Sequence, residues 1–231
     1  MLDAAEADSR WALGDHSGSL SGDHPRCNRR IPVGSIVRAA LSSLRPTQMA
    51  VGMRQVSRKL RKLEKRSDDP RRFDRFLQDR PIPAVYGPGG SLFIVDHHHL
   101  GLALSLAELE GTYVRVIGDA SRLSHSAFWK RMEADGRLYL YDEHGRRVSP
   151  SMLPESLDGL RHDPYRDLAF DVRQAGGYDK VSRPYAEFLW ANFFRERIAR
   201  SVVQRDPKAA LRIATKLARS KRAAQLPGYA C

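Results

Sequence analysis

Residues 81–104 read PIPAVYGPGGSLFIVDHHHLGLAL, and this stretch decides the fold. Pro81-Ile82-Pro83 forces an extended chain, because each proline fixes its own φ and disfavours a helical residue before it. Ala84-Val85-Tyr86, the turn Gly87-Pro88-Gly89-Gly90, and Leu92-Phe93-Ile94-Val95 then read as a β-hairpin. Directly after it stands Asp96-His97-His98-His99. From Leu100 to Leu106 the chain is apolar almost all round, as expected of a helix buried against a sheet. The three histidines therefore sit where a strand becomes a helix.

Working outward, Thr47 is placed to cap a helix whose apolar residues Met49, Met53, Val56, Leu60 and Leu63 recur at three and four. Its other faces carry Arg54, Arg58, Lys59, Arg61, Lys62, Lys65 and Arg66. Asp69-Pro70 opens a short helix with Phe73, Phe76 and Leu77 inward. Downstream, residues 113–117 read as a third strand, and Ser124 caps a helix with Phe128, Trp129 and Met132 on its inner side. Residues 137–141 read as the next strand and 142–145 as a turn. From Asp163 onward the pattern is mostly helical, punctuated at Gly176-Gly177 and Pro184. One long helical segment is expected over 185–203. A last helix over 207–222 has a core stripe of Leu211, Ala214 and Leu217. Residues 1–30, rich in Asp, Ser, Gly, Arg and His and without periodicity, read as a poorly ordered leader. The class implied is α+β.

A chain of 231 residues with 42% apolar residues is long enough for one sizeable core carrying a helical extension. The net charge of +12 and pI near 10.1 favour an anionic partner, nucleotide or nucleic acid. Only Cys27 and Cys231 are present, without the density of a disulfide framework or the spacing of a zinc knuckle, so a reducing compartment fits. No apolar run approaches the roughly 20 residues that span a bilayer. The N-terminus has no basic start followed by an apolar stretch. The expectation is a soluble cytoplasmic protein with no membrane partner.

A polar cluster between a strand and a helix lies beside unpaired backbone N–H groups and the positive end of the helix dipole, which attract phosphate. Asp96 there can cap the helix, hold a metal ion or take a proton from an attacking hydroxyl or water. His98 and His99, consecutive on a first helical turn, point about 100° apart, so one is expected in the site and one against the scaffold. Neutral imidazole suits both proton transfer and metal binding. Tyr165, Tyr178 and Trp190 read as core residues in helices or as stacking platforms for a base.

With these residues in view, the stretch resembles the hairpin and phosphate-binding turn of the ParB/sulfiredoxin superfamily of intracellular bacterial proteins, where a pattern like DGHHRxxA opens a helix. LRPTQ at 44–48, HSAFWKRM at 125–132, DPYRDLA at 163–169, AGGY at 175–178 and EFLWANFFR at 187–195 resemble its subfamily of ParB-like putative nucleases, over roughly residues 32–229. The resemblance implies a small mixed sheet with helices over 31–145 and a helical C-terminal region over 146–231 that packs on the same site. It also implies a nucleotide phosphate, of ATP or CTP, at the turn. His97 stands where the family has glycine, and Leu100 where it has arginine. The missing cation has candidate replacements in Arg45, Arg166 and Arg173, with Gln48 as a further ligand contact.

The implied site therefore comprises Asp96, His98 and His99 as catalytic groups, and His97, Arg45, Gln48, Arg166 and Arg173 on the phosphate or nucleotide. Mg²⁺ or Mn²⁺ would rest on Asp96 and His98. The activity expected is nuclease or nucleotide-dependent phosphoryl transfer, and the alternative is a non-catalytic nucleotide or nucleic-acid binding module. A reading of Asp96-His97-His98 as a DHH phosphoesterase motif lacks the acidic DxD-type element on an earlier strand, since Asp68-Asp69 precedes a helix.

Overall fold

The computed structural model describes residues 32–230; the leader expected at 1–30 lies outside them. Strand β1 (Ile36–Ala40) leads through a short 3₁₀ turn into β2 (Leu44–Pro46) and β3 (Ala50–Val51), followed by helices α1 (Met53–Glu64) and α2 (Pro70–Gln78). The hairpin strands β4 (Ile82–Tyr86) and β5 (Leu92–Ile94) run into α3 (His98–Leu106), then β6 (Gly111–Asp119) and α4 (His125–Ala134). After β7 (Arg161–His162) the chain is helical: α5 (Pro164–Gln174), α6 (Ala186–Arg195), α7 (Arg200–Arg205) and α8 (Pro207–Ala218). β1, β6, β4, β5 and β2 form a five-stranded mixed sheet in that order, and β3 pairs with β7 in a separate parallel ribbon. The chain is α+β, as the sequence implies.

The hairpin is built as its residues demand. Gly87 N–H donates to Ser91 O at 2.8 Å, and a Cβ at Gly87 would meet the Phe93 ring at 2.5 Å, so only glycine fits. Gly89 takes the left-handed conformation at φ 69° that L side chains avoid. Along β5 the period of two sends Leu92 and Ile94 into one core and Phe93 into another. The first core joins one face of the sheet to α1, α2 and α3 through Val56, Leu63, Phe73, Leu77, Leu100 and Leu104. The second lies on the opposite face under α4, where Phe93 packs on Phe128 and Trp129 with centroids 4.7 and 5.2 Å apart. Helices α5 to α8 enclose a third around Trp190, Phe194, Tyr165 and Leu168.

Four expectations of secondary structure are corrected. The helix expected from Thr47 begins at Met53. Residues 44–46 instead pair in parallel with 92–94, and Thr47 Oγ1 donates to Ile94 O at 2.9 Å. Local capping misplaced that start because the true cap comes from afar: Arg54 N–H donates to Asp167 Oδ1 at 3.0 Å. Residues 137–141 make only isolated bridges, Gln48 with Tyr139 and Tyr141 with Arg147, rather than a strand. The single helix over 185–203 is two, α6 and α7, separated at 196–199. The last helix stops at Ala218, and its fully buried stripe is Ala210, Ala214 and Ala218, with Leu211 and Leu217 half-buried. Strand β1, an edge strand, was not foreseen; only Val37 and Ala39 turn toward the core, and both are merely half-buried.

Candidate phosphate-binding turn

At the carboxyl end of β5, Val95 N–H still donates to Pro83 O, and then the chain turns. Asp96 is exposed, and its Oδ1 accepts the His97 N–H at 2.6 Å. His97 is left-handed, φ 62° and ψ 21°, and is the N-cap residue of α3, where no side chain caps the helix. The His97 carbonyl accepts from Leu100 and Gly101 N–H at 2.8 and 2.9 Å. The N–H groups of His98 and His99, first and second in the helix, have no intrahelical acceptor. They present the positive end of α3 beside Asp96. The position that the resemblance assigns to glycine is thus the one residue here whose backbone favours glycine.

His98 and His99 reach back across the fold to the segment joining β2 and α1. His98, 4% exposed, accepts Thr47 N–H on Nε2 at 3.1 Å. His99 accepts Gly52 N–H on Nε2 at 3.2 Å. Both rings face the scaffold. Acceptance at Nε2 requires the neutral tautomer with its proton on Nδ1. Burial, reinforced by the Arg166 charge, pushes His98 down to about 3. Burial first, then Arg166, His98 and Lys59, hold His99 well below the usual imidazole range. Burial also lowers His97, against an opposing pull from Asp96.

One cation beside the turn is shown by the sequence only as part of a basic helix face. Lys59 of α1 lies within electrostatic range of Asp96, His97 and His99. Among the described residues it has no hydrogen bond or ion pair. Burial lowers its pKa, with Lys62 adding to the effect and Asp96 opposing it. It lies seven residues, two helical turns, after Gly52, whose N–H is held by His99, a relation that only the folded chain reveals.

The other expected residues are dispersed. Arg45 is half-exposed on β2 opposite Phe93, and so faces the side of the sheet away from α3. Gln48 is buried, with Nε2 donating to Ala50 O at 2.9 Å. Arg166 is 4% exposed, close enough behind the histidines to depress them, and stacks on Phe188 at 3.5 Å. Arg173 pairs with Glu187 at 2.9 Å. Tyr165, Tyr178 and Trp190 are all core residues, 2%, 3% and 0% exposed.

Among the described residues no three His, Cys, Asp or Glu side chains converge as a metal cage. With His98 Nε2 committed to Thr47, a divalent ion at this turn would rest on the open carboxylate of Asp96. That fits Mg²⁺ or Mn²⁺, which are commonly held by one or two carboxylates together with substrate phosphates.

Comparison with known proteins identifies the family. A family model described as putative ParB-like nuclease matches residues 37–196. Among solved structures, protein Atu1540 from Agrobacterium tumefaciens is similar, with 38% sequence identity over 85% of this chain and 97% of that one, and a TM-score of 0.78. No curated protein matches the sequence. No helix among the described residues is long and apolar enough to cross a membrane. A match that takes in the hairpin, the histidine turn and both α5 and α6 places the chain in the ParB-like putative nuclease family.

Proposed function

We propose that the turn at 96–99 binds a phosphate group of a nucleotide or nucleic acid, and that Asp96 acts on it as the general base of phosphodiester hydrolysis or phosphoryl transfer. The observation that carries this reading is the exposed Asp96 carboxylate, fixed on His97 N–H at 2.6 Å beside the open end of α3. The free N–H groups and Lys59 would take the phosphate oxygens, and Asp96 would take the proton of an attacking hydroxyl or water. His98 and His99 serve in this reading as positioning residues that hold α3 against Thr47 and Gly52. A Mg²⁺ or Mn²⁺ ion on Asp96 would supply charge neutralisation on the phosphate. The basic outer surface of α1 and the charge of +12 favour a polyanion, so nucleic acid is placed ahead of free ATP or CTP.

The test is a parallel assay of wild type and Asp96→Asn with DNA, RNA, ATP and CTP, each with Mg²⁺ and with Mn²⁺, following strand cleavage and phosphate release. Turnover in wild type that vanishes in a folded Asp96→Asn supports the proposal and names the substrate. Binding without turnover in every combination overturns the enzyme and leaves a binding module. The occupied Nε2 atoms of His98 and His99 favour that second reading, since they take both of these rings out of proton transfer with Asp96.

A further inference from the structure

Arg166 is a buried guanidinium without adequate partners. It is 4% exposed, its Nε and Nη1 have no hydrogen-bond acceptor, and its Nη2 stands 3.6 Å from Glu187 Oε2. Arg173, one side of the same carboxylate, pairs with Glu187 Oε1 at 2.9 Å but leaves its own Nε buried and unpartnered. The remaining nearby acid, Asp163, is committed to Arg195 and to Tyr165 N–H. Two guanidiniums thus share one carboxylate, a surplus of one positive charge in a place largely closed to water. A guanidinium does not shed its proton to relieve this. A buried charge without a partner costs several kcal/mol, and buried donors without acceptors add to that cost.

Asp163 and Tyr139 lie within electrostatic range of Arg166, but neither accepts a hydrogen bond from it, and Tyr139 OH already accepts from Asn192 Nδ2 at 3.1 Å. Phe188 covers one face of Arg166 at 3.5 Å, which gives cation–π attraction but accepts no N–H in the guanidinium plane. Tyr178 OH, on the same side, is spent on Ala169 O at 2.9 Å. Solvent reaches the cluster past Glu187 and Arg173, whose side chains are 20% and 18% exposed.

We infer that Arg166 and Arg173 form a second, enclosed anion site between α5 and α6, which takes a small oxyanion such as inorganic phosphate, pyrophosphate or the terminal phosphate of a mononucleotide. The planar forks of two arginines suit phosphate oxygens. The enclosure sets the ligand class: the interior of a duplex cannot bring its backbone to a guanidinium that is 4% exposed, whereas a small or terminal phosphate can. The site does not depend on the phosphate reading of the turn, because it uses none of the turn's residues.

The experiment is a thermal-shift titration of the full chain with pyrophosphate, using wild type, Arg166→Met, Glu187→Gln and Lys59→Met. Pyrophosphate is expected to raise the Tm of wild type and of Lys59→Met in a saturable way, and in Arg166→Met to leave only the smaller response that the turn itself gives. Glu187→Gln removes the competing carboxylate and is expected to tighten binding about tenfold. Arg166→Met removes a buried cation and leaves no acid uncompensated, because Glu187 keeps its pair with Arg173. Should it fail to fold, Glu187→Gln decides alone, since a purely structural ion pair predicts lower stability and no gain in affinity. A response that persists in Arg166→Met and disappears in Lys59→Met would overturn this site and leave the turn as the phosphate locus. No response in wild type would overturn it as well, leaving the turn to its own assay.

Discussion

His98 and Thr47, 51 residues apart, are joined by one hydrogen bond: the Thr47 amide donates to His98 Nε2 at 3.1 Å, both residues being buried. It ties the start of α3 to the strand that runs parallel to β5. His98→Ala would leave the Thr47 N–H buried and unsatisfied and would open a cavity as well. The expected cost is about 2–4 kcal/mol, read as a lower urea midpoint with an unchanged slope. His98→Gln keeps an acceptor near the same point and is expected to lose less than half as much. Equal losses in the two variants would show that volume rather than the hydrogen bond matters.

The same bond makes stability depend on pH. In the unfolded chain His98 titrates near the usual value of about 6.5, whereas in the fold burial and Arg166 hold it at about 3. Between these values the unfolded state binds the extra proton, so folding stability falls as pH falls through that window, by up to about 1.4 kcal/mol per pH unit for this group. His99, depressed by the same causes, adds to the slope. Urea titrations from pH 7 to pH 4 should show this loss, with a shallower slope in His98→Gln. An identical slope in that variant would assign the acid sensitivity elsewhere.

His97 adopts φ 62° in a position where its side chain caps nothing. Left-handed backbone costs a residue with a Cβ roughly 1–2 kcal/mol, and glycine gives part of that back through its freer unfolded state. His97→Gly is therefore expected to raise stability by about 0.5–1 kcal/mol in chemical denaturation. A loss would mean that the imidazole itself makes contacts worth more than the backbone strain.

Much of this fold was legible because its decisive residues are local signals. Gly87, Gly89 and the alternation of Leu92, Phe93 and Ile94 specify the hairpin, and the apolar run from Leu100 specifies a buried helix. What could not be read depends on partners distant in sequence. The cap of α1 is Asp167, and the acceptors that hold Thr47 and Gly52 are His98 and His99, so the start of α1 was misplaced by five residues' worth of strand and linker. The turn was legible as a place, from Asp96 and the three histidines, but not the direction of its rings. A sequence shows that imidazoles are present, and only packing shows that both Nε2 atoms face inward. Lys59 was hidden for a related reason: in a segment with seven basic residues at 54–66, nothing local distinguishes the one that meets the turn from those that face solvent.

Asp167 tests how far that distant capping matters. Its side chain is 2% exposed, accepts Arg54 N–H at 3.0 Å and contacts His162 Nε2 at 3.0 Å. A Cβ on Gly52 would overlap its carboxylate, so the group is packed against the start of α1. Asp167→Ala removes a cap and leaves Arg54 with Asp171 alone, at an expected cost of about 3 kcal/mol in urea denaturation. A cost below about 1 kcal/mol would mean that water replaces the cap.

Lys59 and Asp96 should separate binding from chemistry at the turn. If Lys59 contacts a phosphate, Lys59→Met weakens binding of single-stranded DNA about tenfold at low salt. It also reduces the slope of log affinity against log salt by about 0.7, the loss of one contact. Lys59→Arg restores both, because the charge remains. Asp96→Asn removes a negative charge beside that phosphate, so its binding should be equal or tighter while turnover is lost. A lysine that serves only to pack α1 would change melting temperature in Lys59→Met and leave the salt slope where it was. An Asp96→Asn variant that cleaves at the wild-type rate would take the carboxylate out of the reaction, whatever binds at the turn.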